Sequence, residues 1–368
     1  MSRRALLVHR LGRVEYEDGL ALMRIAADAV RGGAPAATDH LFLVEHPPVL
    51  TFGRSADRAN VVAAPEWLAR HGFELHETDR GGDVTYHGPG QIVGYPVCDL
   101  SDRPDVRRYV GALEEAMIRA CADHGVEATR HPEHRGAWVG SRKIGAVGVH
   151  LSRWITSHGL AFNFAPDLAH FRAIVPCGIA DPGLGVTTLA AELAKGGRPV
   201  PDRDAVERRL ALHLADALDR RLAPSDGPDL RTVSVVPVGA DGRILLLRRS
   251  AERGGFWQQV TGRVEPGESP ADAARRELLE ETGADMPVEP LGYCHAFALD
   301  PSLNRVRPGA VVLVEETAFA ARLPPSFEPI ISDEHAEHAW ATSDEAVARL
   351  PFAGLRKAVQ LAAARFPA

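Results

Sequence analysis

Two chemically unrelated motifs on one chain constrain its possible folds more than any other feature. The first is the glycine-rich run Arg80-Gly-Gly-Asp-Val-Thr-Tyr-His-Gly-Pro-Gly-Gln91. The second is Gly262-Arg-Val-Glu-Pro-Gly-Glu268, which continues through Arg276-Glu-Leu-Leu-Glu-Glu-Thr-Gly283. Neither chemistry needs the other, and a chain of 368 residues is long enough for two domains with separate cores. The sequence therefore predicts a fusion of two enzymes.

A stretch of turn-forming residues between the motifs predicts a domain boundary. Residues 223–229, Ala-Pro-Ser-Asp-Gly-Pro-Asp, follow a helical pattern at 205–222. After them, two apolar runs flank Gly239-Ala-Asp-Gly242, which predicts a hairpin. We expect a first domain at residues 1–222, a linker at 223–229 and a second domain at 230–368.

The first domain mixes strand and helix patterns. Ala5–Val8 and Leu41–Val44 are apolar runs typical of strands, whereas Asp18–Val30 and Arg107–His124 have helical spacing. Interleaved strands and helices indicate an α/β or α+β fold class.

Composition excludes several classes of protein. The net charge of −7 argues against a general nucleic-acid binder, which is usually basic. Residues 1–225 hold 27 Lys and Arg against 28 Asp and Glu, and the remainder holds 15 against 21, so the acidic excess accompanies the second motif. The 4 cysteines lack metal or disulfide spacing, and neither a secretory signal nor a membrane span is visible. We expect a cytoplasmic protein with reduced thiols.

The first motif contains too much glycine and proline for a regular helix. It predicts a loop whose backbone approaches a ligand closely, with Arg80, Thr85, His87 and Gln91 as its polar groups. A tight connection between two strands is the alternative that the motif alone leaves open.

A cysteine and a lysine outside the first motif are candidate catalytic residues. Cys177 follows a proline and precedes a glycine, which predicts a turn and an accessible thiol. The other three cysteines fit better as small buried apolar residues. A nucleophilic cysteine needs a nearby cation to lower its pKa. Lys143 is a candidate for that cation, but sequence spacing alone does not pair it with Cys177.

Six segments of the first domain, in order, resemble the octanoyltransferases of lipoate synthesis (lipoyl(octanoyl) transferases, lipoate-protein ligase B type). They are residues 44–53, 80–91 followed by Tyr95, 142–148, 158–163, 176–179 and 185–189. The ordered set covers nearly the whole domain. This resemblance implies a biotin/lipoate ligase-like domain built on a mixed sheet.

The resemblance also implies acyl transfer through a thioester on Cys177. Octanoyl-acyl carrier protein would donate the acyl group, and a lysine on lipoyl domains of 2-oxoacid dehydrogenases or the glycine-cleavage H protein would accept it. Lys143 would lower the pKa of Cys177 and carry protons, and no cofactor is implied for this domain. The resemblance implies that the acyl site and its oxyanion hole are lined by Arg80, Gly81, Gly82, Asp83, Val84, Thr85, Tyr86, His87, Ala146, Val147, Gly148, Gly159, Leu160 and Ala161.

An ATP-dependent lipoate ligase is the alternative for the first domain. Such an enzyme forms an acyl-adenylate and needs no cysteine, so the presence of both Cys177 and Lys143 favours the transferase. Acidic partner proteins would favour a basic patch near the site. Its candidate members are Arg103, Arg107, Arg108, Arg135, Arg142 and Arg153.

The second motif predicts a helix that carries clustered carboxylates. Ser269 and Pro270 are typical of a helix start, and Gly283 is typical of a helix end. Three glutamates at spacing i, i+3 and i+4 share one face of that helix: Glu277, Glu280 and Glu281. They repel one another unless a cation intervenes, and Mg²⁺ prefers such oxygen ligands. A solvated acidic face is the alternative for a glutamate-rich helix alone.

The full spacing of the second motif resembles the Nudix box, matched here by Gly262, Glu268, Arg276, Glu277, Glu280, Glu281 and Gly283. The resemblance covers about residues 230–366 and implies an α/β/α sandwich that hydrolyses a diphosphate bridge with Mg²⁺ bound by the three glutamates. The implied substrate is a small phosphorylated molecule, either a nucleoside-diphosphate-linked compound or a pterin triphosphate. A nucleotide-sensing regulatory module is the alternative.

Two further segments, 256–262 and 332–340, resemble the dihydroneopterin-triphosphate type of Nudix enzyme. Phe256 or Trp257 would stack on a pterin or purine base, and Glu334 would be a further metal ligand or base. Core aromatic residues and an exposed loop carboxylate are the alternatives that the sequence leaves open.

Overall fold

The computed structural model describes residues 3–32, 38–175, 183–225, 227–302 and 310–367. The chain divides into two compact units. Unit 1 is built mainly from residues 23–227, and unit 2 mainly from residues 228–368.

The described part of unit 1 alternates strands and helices. Its strands are β1 (Ala5–Arg13), β2 (Thr38–Glu45), β3 (Val49–Phe52), β4 (Glu74–Glu77), β5 (Val84–His87), β6 (Gln91–Val97), β7 (Thr129–Arg130), β8 (Ala137–Val139), β9 (Arg142–Ser152), β10 (Ile155–Asn163), β11 (Gly185–Val186) and β12 (Arg221–Pro224). The helices of the first 227 residues are α1 (Tyr16–Arg31), α2 (Pro65–Arg70), α3 (Val106–Ala122), α4 (Leu189–Lys195) and α5 (Arg203–Ala217).

A mixed sheet organises unit 1, as the sequence predicts. Its strand order is β12-β1-β2-β6-β10-β9-β8-β7, with β11 paired to β9. The pairs β12–β1, β1–β2 and β11–β9 are parallel, and the others are antiparallel. A smaller sheet has the order β4-β3-β5.

The end of unit 1 differs from the predicted helix at 205–222 and linker at 223–229. Helix α5 ends at Ala217, and Asp219 has a φ of 58°, a left-handed conformation that turns the chain. Strand β12 follows, and its Ala223 and Pro224 are register partners of Leu7 and Val8. The first two residues of the predicted linker are therefore strand residues, because the edge of the sheet is available to them.

Helices α3 and α5 cover one face of the large sheet. Leu113 and Met117 of α3 and Leu210 of α5 pack in one buried cluster with strand residues such as Ile92. Successive strand residues point to opposite faces. Strand β6 therefore directs Ile92 into this core and its neighbour Val93 to the other face, where the candidate site lies.

Unit 2 contains a second mixed sheet. Its strands are β13 (Leu230–Val238), β14 (Ile244–Arg249), β15 (Trp257–Gln258), β16 (Val260–Arg263), β17 (Glu289–Ala298), β18 (Leu313–Arg322) and β19 (His335–Ala341). Its helices are α6 (Pro270–Thr282), α7 (Ser343–Arg349) and α8 (Ala353–Arg365). The main path is β15-β14-β13-β18-β17, with β16 on β13 and β19 on β14.

Helices on both faces make unit 2 the predicted α/β/α sandwich. Val233 and Val235 pack with Leu278 of α6, whereas Val236 and Val238 pack with Val359 of α8. The predicted hairpin around residues 239–242 is limited to the single register pair Val238 and Ile244, because β14 continues along β19 instead. Among the described helices, none has the length and apolar content needed to cross a membrane.

Candidate active sites

A cavity of about 510 Å³ in unit 1 brings most of the predicted acyl-site residues together. Strands β9 and β10 are antiparallel neighbours, and the register pairs Gly148 with Gly159 and Ala146 with Ala161. The predicted residues that line the cavity are Arg80, Gly81, Gly82, Asp83, Thr85, His87, Lys143, Ala146, Val147, Gly148, Gly159, Leu160 and Ala161. Three segments that are distant in sequence therefore share one wall.

Val84 and Tyr86 are the two predicted acyl-site residues that do not line this cavity. Both are fully buried in a separate apolar cluster with Leu50 and Phe52. The Tyr86 hydroxyl is hydrogen-bonded to His170 Nδ1 at 2.8 Å. The reason is the two-residue period of β5, which turns Thr85 and His87 toward the cavity and turns Val84 and Tyr86 away from it.

The guanidinium of Arg80 is buried and held by strand β3. Its Nε and Nη2 atoms donate to Thr51 Oγ1 at 3.1 and 2.8 Å, and Nη2 also donates to the Thr51 carbonyl at 2.6 Å. A Cβ atom on Gly53 would lie 2.2 Å from the Gly82 carbonyl oxygen, so this close approach requires glycine. The Gly81 N–H donates to the Val149 carbonyl at 2.9 Å, so it does not serve as an oxyanion-hole donor in this structure.

Lys143 is buried in the cavity wall on β9. Its Nζ atom lies 5.0 Å from the centre of the Trp138 ring, a cation–π distance. Strand β11, which follows Cys177 in the sequence, is paired with β9 so that Val186 is the register partner of Lys143. Cys177 itself lies outside the described residues, and its pairing with Lys143 stays a prediction.

A chain of buried polar side chains connects the first motif to two other segments. His87 Nδ1 donates to Gln91 Oε1 at 2.8 Å, and Gln91 Nε2 donates to Asn163 Oδ1 at 2.9 Å. Asn163 Nδ2 donates to the Thr187 carbonyl at 3.1 Å. Burial lowers the pKa of His87 to about 3, so its imidazole is neutral at pH 7. These hydrogen bonds fix the relative positions of β5, β10 and the residues after β11.

Several cavity residues were not assigned to the acyl site in the sequence interpretation. They are Tyr16, Ser55, Val93, Tyr95, Glu133, His134, Arg135 and His158. His46 orients Tyr95. Burial lowers the pKa of His46 to about 4, so the imidazole is neutral at pH 7. Its Nδ1 donates to the Val14 carbonyl at 2.7 Å, and its Nε2 accepts from the Tyr95 hydroxyl at 2.6 Å. The only sequence signals were that Tyr95 follows one matched segment and His158 begins another.

Two expected members of a basic patch are ion-paired. Arg142 makes two hydrogen bonds of 3.1 Å to the carboxylate of Glu192, and Arg135 lies 3.8 Å from Glu114. The Arg142 guanidinium therefore connects β9 to α4 through Glu192.

The three described cysteines differ in exposure. Cys98 and Cys121 are buried as expected, and burial raises the pKa of both thiols, that of Cys121 to about 12. Cys294 is exposed, contrary to expectation, because it lies on β17 at the edge of the unit 2 sheet.

The second motif forms the predicted capped helix, α6. Ser269 accepts a hydrogen bond from the Asp272 N–H at 3.2 Å, Pro270 is the first helical residue, and Gly283 ends the helix with a φ of 76°. Each feature follows from local chemistry that the sequence displays.

Arg276 contacts three carboxylates of the second motif. Its Nε and Nη2 atoms bind Glu268 Oε1 and Oε2 at 3.0 and 3.1 Å, the bidentate geometry of an arginine–carboxylate pair. Its Nη1 atom donates to Glu277 at 2.7 Å and to Glu280 at 3.2 Å. A Cβ atom on Gly262 would lie 1.8 Å from Cδ of Glu277, so glycine makes room for this carboxylate beside β16.

Glu281 has different partners from the other two predicted metal ligands. It is buried, one oxygen lies 3.4 Å from His335 Nε2, and the Thr261 N–H donates to the other at 3.4 Å. Burial raises the pKa of both Glu281 and Glu277. Within the described residues no three His, Cys, Asp or Glu side chains are gathered as metal ligands. The helix thus supplies the predicted carboxylates, of which Glu277 and Glu280 contact Arg276 and Glu281 contacts His335.

The other residues considered for substrate binding have partners within unit 2. The Phe256 ring lies 5.3 Å from that of Phe352 in an edge-on arrangement, and the Arg349 guanidinium lies 5.6 Å from the centre of the Trp257 ring. Glu334 forms a 2.7 Å ion pair with Arg253. These contacts fit packing aromatic residues and an ion-paired loop carboxylate.

Two models of known protein families match separate parts of the chain. The model of the lipoyl protein ligase A/B catalytic domain matches residues 15–215, and the model of the NUDIX domain matches residues 228–361. An octanoyltransferase of Myxococcus xanthus is 48% identical over 369 residues, which cover 98% of this chain and 99% of that protein.

Two other similarities each cover one part of the chain. An octanoyltransferase of Solibacter usitatus is 46% identical over 218 residues, 59% of this chain and 94% of that protein. The solved structure of the E. coli dihydroneopterin triphosphate pyrophosphohydrolase is 29% identical with a TM-score of 0.33, and the match covers 35% of this chain and 92% of that one.

Proposed function

The chain belongs to the octanoyltransferases and joins a lipoyl protein ligase A/B catalytic domain to a NUDIX domain, and from this premise we propose a mechanism for each. In the first, Cys177 takes an octanoyl group from octanoyl-acyl carrier protein and passes it to a lysine of a lipoyl domain. No ATP is consumed, because the donor thioester already carries the activation.

The observation that carries this proposal is the position of Lys143. Its side chain is buried, yet it lines a cavity together with the three predicted acyl-site segments. An adjacent cation favours the thiolate form of a cysteine, so a lysine in the wall of this cavity suits a thiolate nucleophile.

The transfer has two steps with balanced proton movements. The thiolate of Cys177 attacks the octanoyl carbonyl carbon, a new C–S bond forms, and the carrier thiol leaves with a proton that Lys143 delivers. In the second step a lysine amine forms a C–N bond to the same carbon, and the C–S bond to Cys177 breaks. The apolar side chains of Val93, Val147 and Leu160 offer a surface for the acyl chain.

Intact-mass spectrometry tests the mechanism directly. Wild-type protein mixed with octanoyl-acyl carrier protein should gain one octanoyl group that hydroxylamine removes, and Cys177→Ala should not. A second control, Cys98→Ala, removes a buried thiol outside the cavity and should retain the adduct. Transfer that requires ATP and leaves no adduct would instead identify an ATP-dependent ligase.

For the NUDIX domain we propose Mg²⁺-dependent hydrolysis of a diphosphate bridge in a small phosphorylated substrate. The donor set fits Mg²⁺, because Glu277, Glu280 and Glu281 offer only oxygen atoms and Mg²⁺ prefers oxygen ligands. These three side chains would hold the ion, which would neutralise the phosphate oxygens when bound. Nucleoside-diphosphate-linked compounds and pterin triphosphates are the substrate classes to examine.

The carrying observation for this second activity is the Arg276 network. Arg276 holds Glu268 bidentately and contacts Glu277 and Glu280, so one guanidinium orients three carboxylates. The test is release of phosphate or pyrophosphate by the full chain with Mg²⁺, beside Glu280→Gln. Hydrolysis that the variant loses supports the proposal, whereas substrate binding without turnover in wild type would identify a sensing module.

A further inference from the structure

A histidine and an aspartate in unit 1 form a pair that the proposed mechanism does not yet use. His158 Nε2 lies 2.8 Å from Asp79 Oδ1, across 79 residues of sequence. His158 is buried and lines the cavity that contains Lys143. Asp79 follows β4, whereas His158 belongs to β10, so only the fold brings them together.

The backbone of His158 is unusual for a strand residue. Its φ of 55° lies in the left-handed region, which residues other than glycine seldom adopt. Its N–H contacts the sulfur of Met23 at 3.0 Å. Such a conformation persists only where the surroundings hold it, and it occurs preferentially at functional sites. Here it accompanies a side chain in the cavity wall.

The hydrogen bond to Asp79 determines which ring nitrogen is basic. A carboxylate accepts, so Nε2 carries the proton in the neutral imidazole, and Nδ1 keeps its lone pair. Since Nε2 is bonded to Asp79, Nδ1 is the ring nitrogen that can accept a proton from another group. Burial lowers the pKa of His158, an effect that Asp79 only partly opposes, so the ring is neutral at pH 7.

The charged and titratable groups around His158 come from four segments. They are Asp79 and Arg80 beyond β4, His150 on β9, His87 on β5 and Tyr95 on β6. Arg80 and His150 disfavour a positive charge on His158, and Asp79 favours it. This balance keeps the imidazole able to accept a proton.

We propose that His158, oriented by Asp79, is the general base that deprotonates the acceptor lysine in the second step of octanoyl transfer. This inference rests on the proposed function of unit 1. The lysine ε-ammonium gives one proton to His158 Nδ1, and the resulting amine forms the C–N bond as the C–S bond to Cys177 breaks. The second amine proton goes to the departing thiolate, and His158 releases its proton to solvent. Asp79 is a positioning residue.

A single-turnover experiment separates this step from acylation. Octanoyl-enzyme is prepared first, mixed with an unmodified lipoyl domain, and sampled by mass spectrometry between about pH 5 and pH 8.5. The variants are His158→Asn, which tolerates a positive φ, and Asp79→Asn, which keeps the shape of the side chain. The matched control is His213→Gln, because His213 Nε2 lies 2.7 Å from Asp123 Oδ2 in another histidine–aspartate pair that does not line the cavity.

All four proteins should form the octanoyl adduct, which also shows that their cavities are intact. Transfer by His158→Asn should be about 100-fold slower at neutral pH, transfer by Asp79→Asn about tenfold slower, and transfer by the control within about twofold of wild type. The ratio of the wild-type rate to the His158→Asn rate should fall toward one as the pH drops through the pKa of His158. This ratio cancels the titration of the acceptor lysine itself.

Two results would overturn the inference by different routes. If the adduct forms but the rate ratio is near one, or does not change with pH, His158 is structural and the thioester mechanism stands. If wild type forms no adduct, the proposed function fails and the role of His158 fails with it.

Discussion

The side-chain amide of Asn163 donates a hydrogen bond of 3.1 Å to the carbonyl oxygen of Thr187. Thr187 in turn donates its N–H to the carbonyl of Lys143 at 2.9 Å. The backbone of the candidate catalytic lysine is thus connected to a buried side chain from another part of its sheet. This link makes the candidate site sensitive to a residue that is not among its lining side chains.

Replacing Asn163 with alanine should destabilise unit 1 and slow acylation. The Gln91 amide and the Thr187 carbonyl would lose their partner inside the protein, at a cost of about 1–3 kcal/mol in the free energy of unfolding. Urea denaturation and the rate of octanoyl-adduct formation measure the two effects. Arg243→Ala, which breaks an exposed pair with Asp241, should leave stability nearly unchanged, because solvent screens such a pair. Equal stability of both variants would contradict this role of Asn163.

Trp138→Phe should reduce the rate of adduct formation about twofold. The Lys143 ammonium faces the Trp138 ring, and tryptophan attracts a cation more strongly than phenylalanine does, with about 0.5–1 kcal/mol for the whole contact at an exposed site. Rapid-quench mass spectrometry gives the rate. Trp67→Phe changes an aromatic residue in a separate cluster and serves as the control. A rate unchanged in Trp138→Phe would show that the ring does not influence the lysine.

Gly53→Ala should disrupt the Arg80 loop. The added methyl group would meet the Gly82 carbonyl at 2.2 Å, so the loop must move and the thermal transition should shift downward. Gly111→Ala is the matched control, because nothing lies within 4 Å of its added methyl group on α3. That helical substitution should stabilise by about 0.5–1 kcal/mol. Differential scanning calorimetry distinguishes the two, and a stable Gly53→Ala protein with normal acylation would exclude this steric requirement.

Arg276→Lys should lower hydrolysis by the NUDIX domain about 10- to 100-fold. Lysine keeps the charge but cannot form the bidentate pair with Glu268, so the carboxylates lose their orientation. Phosphate release with Mg²⁺ measures the loss, and octanoyl-adduct formation by the same variant reports that the chain is folded. Arg275→Lys, whose side chain pairs with exposed Asp285, should hydrolyse normally. Equal activity of the two variants would refute the role of Arg276 in orienting the carboxylates.

The stability of unit 1 should fall as the pH is lowered from about 6.5 toward 4. Burial lowers the pKa of His9 and His87 to about 3 and that of His40 and His46 to about 4, whereas an unfolded histidine titrates near 6.5. In this window the unfolded chain binds more protons than the folded one, so acid favours unfolding. Urea midpoints at about pH 7 and pH 5 test this, and equal midpoints would contradict it.

Local sequence chemistry was sufficient for many features of both units. Ser269, Pro270 and Gly283 begin and end α6 as predicted, because helix caps depend on a few neighbouring residues. The glycines of the first motif predicted a loop that approaches a ligand, but Val84–His87 within the motif form strand β5, and residues 88–90 connect it to β6. Interleaved strand and helix patterns indicated an α/β or α+β class, whereas the mixed sheet of unit 1 and the sandwich of unit 2 were implied by the family resemblances.

Tertiary structure decided which side chains meet. Motif matching placed Val84 and Tyr86 in the acyl site, but the register of β5 with β3 turns both into a separate core. Helical spacing grouped Glu277, Glu280 and Glu281, but their contacts with Arg276 and His335 depend on the fold. The pair of Asp79 and His158 had no sequence signal, because strand register and long-range packing alone bring its two segments within hydrogen-bond distance.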